Sequence, residues 1–587
     1  MADTTINLLE NISKGISPSY LGNFTKIVNL DLDSLPGGVV LQKTLSPSCP
    51  RGTDDYDTFT FTGAVDDKLT IAGSPDWLGS GYSIGGRVRL TTTGTLPAGL
   101  STGTDYWMFG ESGATVKLAS SIANFNAGTA VNITDTGTGT HSIRLQPVTI
   151  MQKMLYTGIS GNGAFLGIED SDSLFMNSSY NTRAWTKITG NATTQVRGLG
   201  YWKNYAFIYG QTTGAIDVYG PVTTLASSAW TNAFKTIATS TTTMNPMLIA
   251  SNDILYIGAA NTIASIEQVS GKTFAPADAS TYTFSTSALD LPSGENVVSM
   301  AQLGSYLYIA TQNKGKSKIY PWDTVSSSFE EPIRFDGNLI DAIFSANNRL
   351  YIFCGDSAQI YVSNGSTVSL AAQIPATAGD NQIAITDQRF TFYPDAIFAK
   401  NNKLYFGLSS GTSTIGGLGI YTMNMDTGRV TLEYTTGSLY ETNVKVYALC
   451  PWTSSNYSYF FASCYDGSKT TNYTYPVQYT IASFVNTGYL QTGLMTVGTK
   501  YQPRSFRFFE IQLGTELASG GSITLAYRTN LTDSFTTIGT MTYASDGAIA
   551  SKIIENSSVE ADQIQFKVTV ASTVSTFSPQ IKAIYAY

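Results

Sequence analysis

The sequence predicts an all-β chain, and three observations predict it. Only 13% of the 587 residues are charged, about half the usual share, and Ser, Thr, Gly, Asn and Tyr take up the difference. Those residues suit strands and turns, whereas long charged helix formers are scarce. Short runs with period-two apolar alternation, bounded by Gly, Asn, Asp and Pro, recur along the whole chain, and between about 150 and 490 they recur as an internal repeat.

Residues 1–55 read as a leading arm with one or two strands. Asn29-Leu30-Asp31-Leu32-Asp33 alternates, meets the turn Pro36-Gly37-Gly38, and is followed by Val39-Val40-Leu41. Residues 56–147 read as a separate small β-module. Its strands are marked by Thr58-Phe59-Thr60-Phe61, Arg87-Val88-Arg89-Leu90, Tyr106-Trp107-Met108, Val116-Lys117-Leu118, Val131-Asn132-Ile133 and His141 to Leu145, with a Gly-Thr-rich turn at 136–140. A helical turn is placed between Ala119 and Ala130.

The repeat occupies residues 148–490. Asp341 to Tyr351 and Asp395 to Tyr405 are identical at eight of eleven positions, 54 residues apart. Each predicts a hairpin: an apolar strand, a tight Asn-Asn turn that accepts positive φ, and a second apolar strand. Weaker copies place equivalent aromatics at Phe165, Phe207, Tyr256, Tyr308, Tyr351, Tyr405 and Tyr459, at a mean spacing of 49 residues. A later strand repeats as Val218-Tyr219, Ile319-Tyr320, Ile360-Tyr361 and Ile420-Tyr421. Units of about 40–50 residues with about four strands are propeller blades, because one such sheet cannot bury both faces and stacking in a ring can. Seven anchors predict a seven-bladed β-propeller, with six or eight as the neighbouring counts, and the first hairpin of each unit nearest the axis. Because the small module precedes the first blade, strand 39–45 is placed to return and close the ring. Residues 491–587, with alternating runs such as Ile523 to Tyr527, Ile564 to Val570 and Ile581 to Tyr587, predict a C-terminal β-sandwich of jelly-roll type.

Charge and composition then narrow the function. The net charge is −8 and there is no Lys/Arg-rich run, which disfavours nucleic-acid binding and an anionic-membrane surface site. No stretch of about 18 apolar residues predicts a transmembrane helix. The start of the chain lacks a basic segment followed by an apolar one, so no signal peptide is expected and synthesis is placed in a cytoplasm. The spacing of Cys49, Cys354, Cys450 and Cys464 fits neither a zinc site nor a small disulfide framework, and Cys354 and Cys450, inside apolar strand-like runs, point to buried free thiols. His141, the single histidine, lacks an acidic or nucleophilic neighbour and reads as a solvent-facing strand residue.

Candidate chemistry is sparse. The nearest approach to a sialidase Asp-box runs from Ser178 to Trp185, with Tyr180 in place of the Asp and Thr182 in place of the Gly, so it fails. Glycoside hydrolysis needs two carboxylates about 5–10 Å apart. The acid-dense stretches are Asp54, Asp55 and Asp57; Asp66 and Asp67; Glu169, Asp170 and Asp172; and Glu330 with Glu331, all in turn-like segments where acids cap backbone or face water. Asp31 and Asp33 share a strand face that reads as solvated. Trp202, Trp322 and Trp452 fall in or beside loops, where each could stack on a sugar or plug a gap between blades. No catalytic, cofactor or metal residue is assigned, and no enzyme activity is expected.

The stretch Arg87 to Trp107, including Thr91-Thr92-Thr93-Gly94-Thr95-Leu96-Pro97-Ala98-Gly99-Leu100, with its continuation from Val116-Lys117-Leu118 through Asp135 to His141, is similar to a small β-module of tailed-bacteriophage virion proteins. The remainder more loosely resembles phage tail and tail-hub propeller proteins, whose N-terminal arms are similar to Leu21-Gly22-Asn23 and Pro36-Gly37-Gly38. The resemblance implies a structural tail hub, nozzle or tail-tip protein of the virion, contacting other tail proteins and copies of itself in a ring. It carries over no catalytic residue. The alternative is a receptor-binding protein that adsorbs to host glycans; a glycan hydrolase is a third reading.

Overall fold

A computed structural model describes residues 6–9, 24–28, 30–32, 39–41, 43–47, 59–63, 66–73, 87–110, 114–121, 124, 128–145, 151–159, 164–169, 174–177, 186–188, 190–193, 195–222, 229–239, 245–335, 338–356, 358–374, 390–410, 418–434, 444–453, 458–466, 471–484, 486–574 and 576–587. The chain is all-β. Its helical elements among these residues are short: Ala279–Thr281, Pro394–Ala396 and Tyr543–Asp546. Of the stretch 119–130 expected to hold a helical turn, residues 122–123 and 125–127 lie outside the described residues.

From Met151 onward, four-stranded antiparallel sheets follow one another. The first is Met151–Tyr156, Phe165–Glu169, Leu174–Asn177 and Thr186–Ile188. The next begin at Val196–Trp202, Met247–Ile249, Asn296–Leu303, Ile340–Ala346 and Ile397–Lys400, and the last at Lys445–Thr453. The repeated aromatics from Phe165 to Tyr459 each fall on the second strand of a sheet, and Tyr219, Tyr320, Tyr361 and Tyr421 each fall on a third strand. The turns joining first to second strands use the backbone that the Asn pairs allow: φ is 47° and 55° at Asn347 and Asn348, and 51° and 59° at Asn401 and Asn402. This left-handed geometry matches the twist of a two-residue hairpin.

The apolar core lies between sheets rather than within them. Leu166, Ile168 and Met176 of the first sheet pack on Leu199, Ile208 and Tyr219 of the second. Phe207 and Tyr209 then meet Ile257 and Ile266, Tyr256 meets Ile309 and Tyr320, and Ile319 meets Ile343 and Ile352. The circle closes where Met151, Met154, Phe165 and Phe175 of the first sheet pack on Ala448, Cys450, Trp452 and Phe461 of the last. Face-to-face sheets stacked in a closed circle are a β-propeller.

The arm differs from the expected one or two strands. Its strands are Ile6–Asn7, Phe24–Val28, Leu30–Asp31, Val40–Leu41 and Lys43–Pro47. The ring-closing segment expected at 39–45 is divided. Val40–Leu41 pairs back on Leu30–Asp31 and Val39 bridges Ile581, whereas Lys43–Pro47 adds the outermost strand to the last sheet by pairing with Thr471–Phe484. Val40–Leu41 and Lys43–Pro47 are two short strands with different partners, which a single run in sequence does not reveal.

Residues 59–145 form a closed six-stranded barrel. Its Gly-Thr turn packs so closely that a Cβ on Gly94 would lie 2.2 Å from the Thr138 carbonyl oxygen, and one on Gly137 would lie 2.4 Å from that of Thr95. Beyond the ring, Thr487–Thr492, Gln563–Ser572, Gly521–Arg528 and Thr536–Thr542 form one sheet, and Arg504–Leu513, Ser551–Ala561 and Ile581–Ala586 form another, with Ile6–Asn7 on its edge. Phe506, Phe509, Ile523, Phe566 and Val568 belong to the core they share with the neighbouring propeller sheets. Phe24–Val28 joins this unit to the propeller. It pairs in parallel with Val430–Tyr434 of the penultimate propeller sheet and antiparallel with Thr487–Thr492, giving one ten-stranded sheet.

Candidate functional site

The first strands of the sheets meet around the axis, and most are bulged near their start. Register shifts occur between Met151 and Lys153, Val196 and Gly198, Val297 and Ser299, Ile340 and Ala342, and Val446 and Ala448. A bulge releases backbone groups from the ladder, and buried groups must find other partners. Neighbouring sheets supply serine hydroxyls. Ser463 Oγ accepts from Met151 N–H at 2.9 Å, across 312 residues of sequence. Ser317 Oγ accepts from Ile340 N–H and Ser409 Oγ from Val446 N–H, both at 2.9 Å. Ser299 Oγ accepts from Ile343 N–H at 3.1 Å.

Charged and aromatic groups gather at the same end. Lys153 Nζ lies 3.0 Å from Asp395 Oδ1, so an ion pair between a buried lysine and a half-buried aspartate ties the first sheet to the turn before the penultimate one. Tyr393 and Tyr447 have ring centroids 4.8 Å apart. Asp341, the repeat equivalent of Asp395, instead accepts from Phe392 N–H at 3.1 Å. The two most similar repeats thus turn one carboxylate into a backbone clamp and the other into an ion-pair partner.

Further carboxylates fasten the incoming loops. Asp217 is fully buried and accepts from the N–H groups of Ala192 and Thr193 at 2.8 Å and of Ala233 at 2.6 Å. Asp356 accepts from Leu339 N–H at 2.8 Å. Glu295 receives Lys318 Nζ at 2.7 Å and Thr311 Oγ1 at 2.6 Å. Burial pushes the Glu295 carboxyl up, but the bonds from Lys318 and Thr311 and the Lys318 charge bring it below its ordinary value. Its stabilisation is therefore present above the unfolded-state value of about 4.3 and is lost as pH falls through the lower folded value. Glu295→Gln should cost about 1–3 kcal/mol at pH 7. Urea unfolding at pH 7 and in stronger acid checks this: the gap between variant and parent should shrink as the pH drops, and a constant gap contradicts the assignment.

The opposite rim is stitched as well. Trp202 Nε1 donates to the Asp253 carbonyl at 3.1 Å, Lys400 Nζ to that of Trp452 at 3.1 Å, and Asn347 Nδ2 to Asn402 Oδ1 at 2.8 Å. Trp202, Trp322 and Trp452 are not loop residues open to a sugar ring. They end or lie within strands and are only 2–3% exposed. Trp322 Nε1 donates to the Ser326 carbonyl at 2.7 Å, and Trp452 packs between Phe165 and Phe461.

His141 is also not solvent-facing. It is buried in the barrel, with Nδ1 2.9 Å from Thr92 Oγ1, Nε2 3.1 Å from the Thr136 carbonyl, and its ring beside Phe61. Strand alternation puts it on the same inward face as Ile143, and closure of the barrel with the Thr136 turn covers it. Asp66 pairs with Lys68, Asp67 accepts from Ile133 N–H, and Glu330 and Glu331 are exposed. The structure brings none of these into a common site. Asp33, Asp54, Asp55, Asp57, Asp170, Asp172, Cys49 and the Ser178 to Trp185 stretch lie outside the described residues, as do the side chains of Asp31 and Glu169. Cys354, Cys450 and Cys464 are buried free thiols, and burial pushes the Cys450 thiol far up.

No family model matches the chain, and no curated protein matches it. Among solved structures, it is similar to the WD40 β-propeller domain of Doa1 (8% identity, 57% of this chain and 93% of that one, TM-score 0.36). It is also similar to the β-propeller domain of Myceliophteria thermophila Cps50 (Swd1) (8%, 57% and 97%, TM-score 0.37). A third similarity is to an exo-β-1,3-galactanase from Phanerochaete chrysosporium (10%, 66% and 95%, TM-score 0.23). Strand order and the packing between sheets define the propeller.

Proposed function

We propose that this chain is a structural component of a tailed-phage virion, a tail hub, nozzle or tail-tip protein that works through protein–protein contacts. In this reading the ring is a seven-bladed propeller, residues 59–145 are an inserted module, and residues 491–587 are a β-sandwich. The observation that carries the reading is the arm. Phe24–Val28 fuses a propeller sheet to the C-terminal unit, and Lys43–Pro47 completes the last propeller sheet, so one N-terminal segment welds separate β-units together. Such bracing suits a part that transmits force and does not need to open. The likeness of residues 87–107 and 116–141 to phage virion modules supports the same reading. The glycan-adsorption alternative loses its tryptophan candidates to the blade interfaces. Immunogold imaging of intact particles tests the proposal: label on the tail is expected, and particles that lack the protein overturn it.

A further inference from the structure

The outer face of the sheet Arg504–Leu513, Ser551–Ala561 and Ile581–Ala586 carries an unusual set of exposed groups. Inward positions such as Phe506, Phe509, Ile511 and Ile584 are buried, as one covered face requires. The other face should be polar, yet it shows Ile553 at 65% exposure, Phe508 at 43% and Tyr587 at 41%, with the Tyr585 ring tilted against that of Tyr587. Large apolar groups gathered on one exposed face are the kind of surface that partners cover.

Three charges sit within this patch: Glu510, Arg507 and Glu555, which lies opposite Phe508 in the register. Glu510 is held in place by Gln512 Nε2 at 2.7 Å, Tyr587 Oη at 3.0 Å and Ser551 Oγ at 3.3 Å. Among the described residues no cation pairs with it. A register shift between Phe506 and Phe508 leaves Arg507 and Phe508 both exposed, and Arg507 likewise makes no ion pair among the described residues. A fixed anion and a free cation therefore lie on one strand, three residues apart and not joined to each other. Along a strand that separation is roughly 10 Å.

We propose that this face is an isologous interface between two copies of the chain. A two-fold axis between the charges brings Glu510 of each copy to Arg507 of the other and stacks Phe508, Ile553, Tyr585 and Tyr587 against their counterparts. Isologous contacts require a patch that complements itself, and an anion and a cation on one strand, neither in an ion pair among the described residues, meet that requirement. A bidentate guanidinium–carboxylate pair sets the register, and the aromatic groups supply the buried area. This contact goes beyond the proposed function and does not depend on where the protein works.

The test is sedimentation equilibrium of the full-length chain over a concentration series, with Glu510→Arg, Arg507→Glu, the double exchange and Ile553→Lys. The parent should associate to dimers or a multiple of two. Each single charge reversal should weaken association by tenfold or more, and the double exchange should restore it. Recovery in the double exchange is a result that misfolding of either single variant cannot mimic. Ile553→Lys, at a largely exposed position, should give folded monomer by circular dichroism. A parent that stays monomeric, or single reversals that leave the dissociation constant unchanged, overturns the proposal.

Discussion

A chain that begins at Ser48 should lose its cooperative unfolding transition and accumulate as insoluble protein. Ile27, Leu30, Leu32, Val39 and Leu41 of the arm are all buried. At roughly 1.5–3 kcal/mol per buried side chain, their loss removes on the order of 10 kcal/mol. A domain's whole margin is about 5–15 kcal/mol. Two sheet edges are uncovered at the same time: Thr471–Phe484 loses Lys43–Pro47, and both Val430–Tyr434 and Thr487–Thr492 lose Phe24–Val28. Open edges of this kind template aggregation. The graded version is Ile27→Ala in the full chain, which should cost about 2–5 kcal/mol in urea unfolding. A shortened chain that unfolds at an unchanged midpoint would show that the arm is dispensable.

Trp452→Ala should destabilise the protein by about 3–5 kcal/mol, as for other fully packed aromatics. Trp452 sits where the last propeller sheet meets the first, with ring centroids 5.5 Å from Phe165 and 5.1 Å from Phe461. Phe165 and Phe461 are themselves 4.8 Å apart in an edge-on arrangement. The cavity opens at the ring's closing seam, where the two ends of a long chain segment meet. The effect should therefore appear mainly as faster unfolding, measured by stopped-flow fluorescence. A change under about 0.5 kcal/mol, typical of surface sites, would place Trp452 outside the core.

The parts of this architecture legible in sequence are those whose causes are local. The Asn347-Asn348 and Asn401-Asn402 turns need positive φ, and the strands on either side are apolar, so a hairpin follows from about eleven residues. The aromatics at Phe165 through Tyr459 could be aligned for the same reason. Long-range determinants left no such trace. Phe24–Val28 is an unremarked five-residue stretch whose partners lie some four hundred residues away, and a parallel pairing has no turn to announce it. The serines at 299, 317, 409 and 463 read as ordinary strand polar residues in a Ser-rich chain. Their role depends on bulges in neighbouring sheets, which only the assembled ring defines. Asp341 and Asp395 stand out in sequence as a repeated pair, but their different partners depend on the assembled ring. The tryptophans looked peripheral because each falls near a turn in sequence, while sheet packing covers them.

The first and last propeller sheets touch through Phe165 and Trp452. A double-mutant cycle on Phe165→Leu and Trp452→Leu measures this directly. The closed ring predicts a coupling energy of about 0.5–1.5 kcal/mol between the two positions. Costs that add to within about 0.3 kcal/mol, as expected for distant sites, would contradict closure.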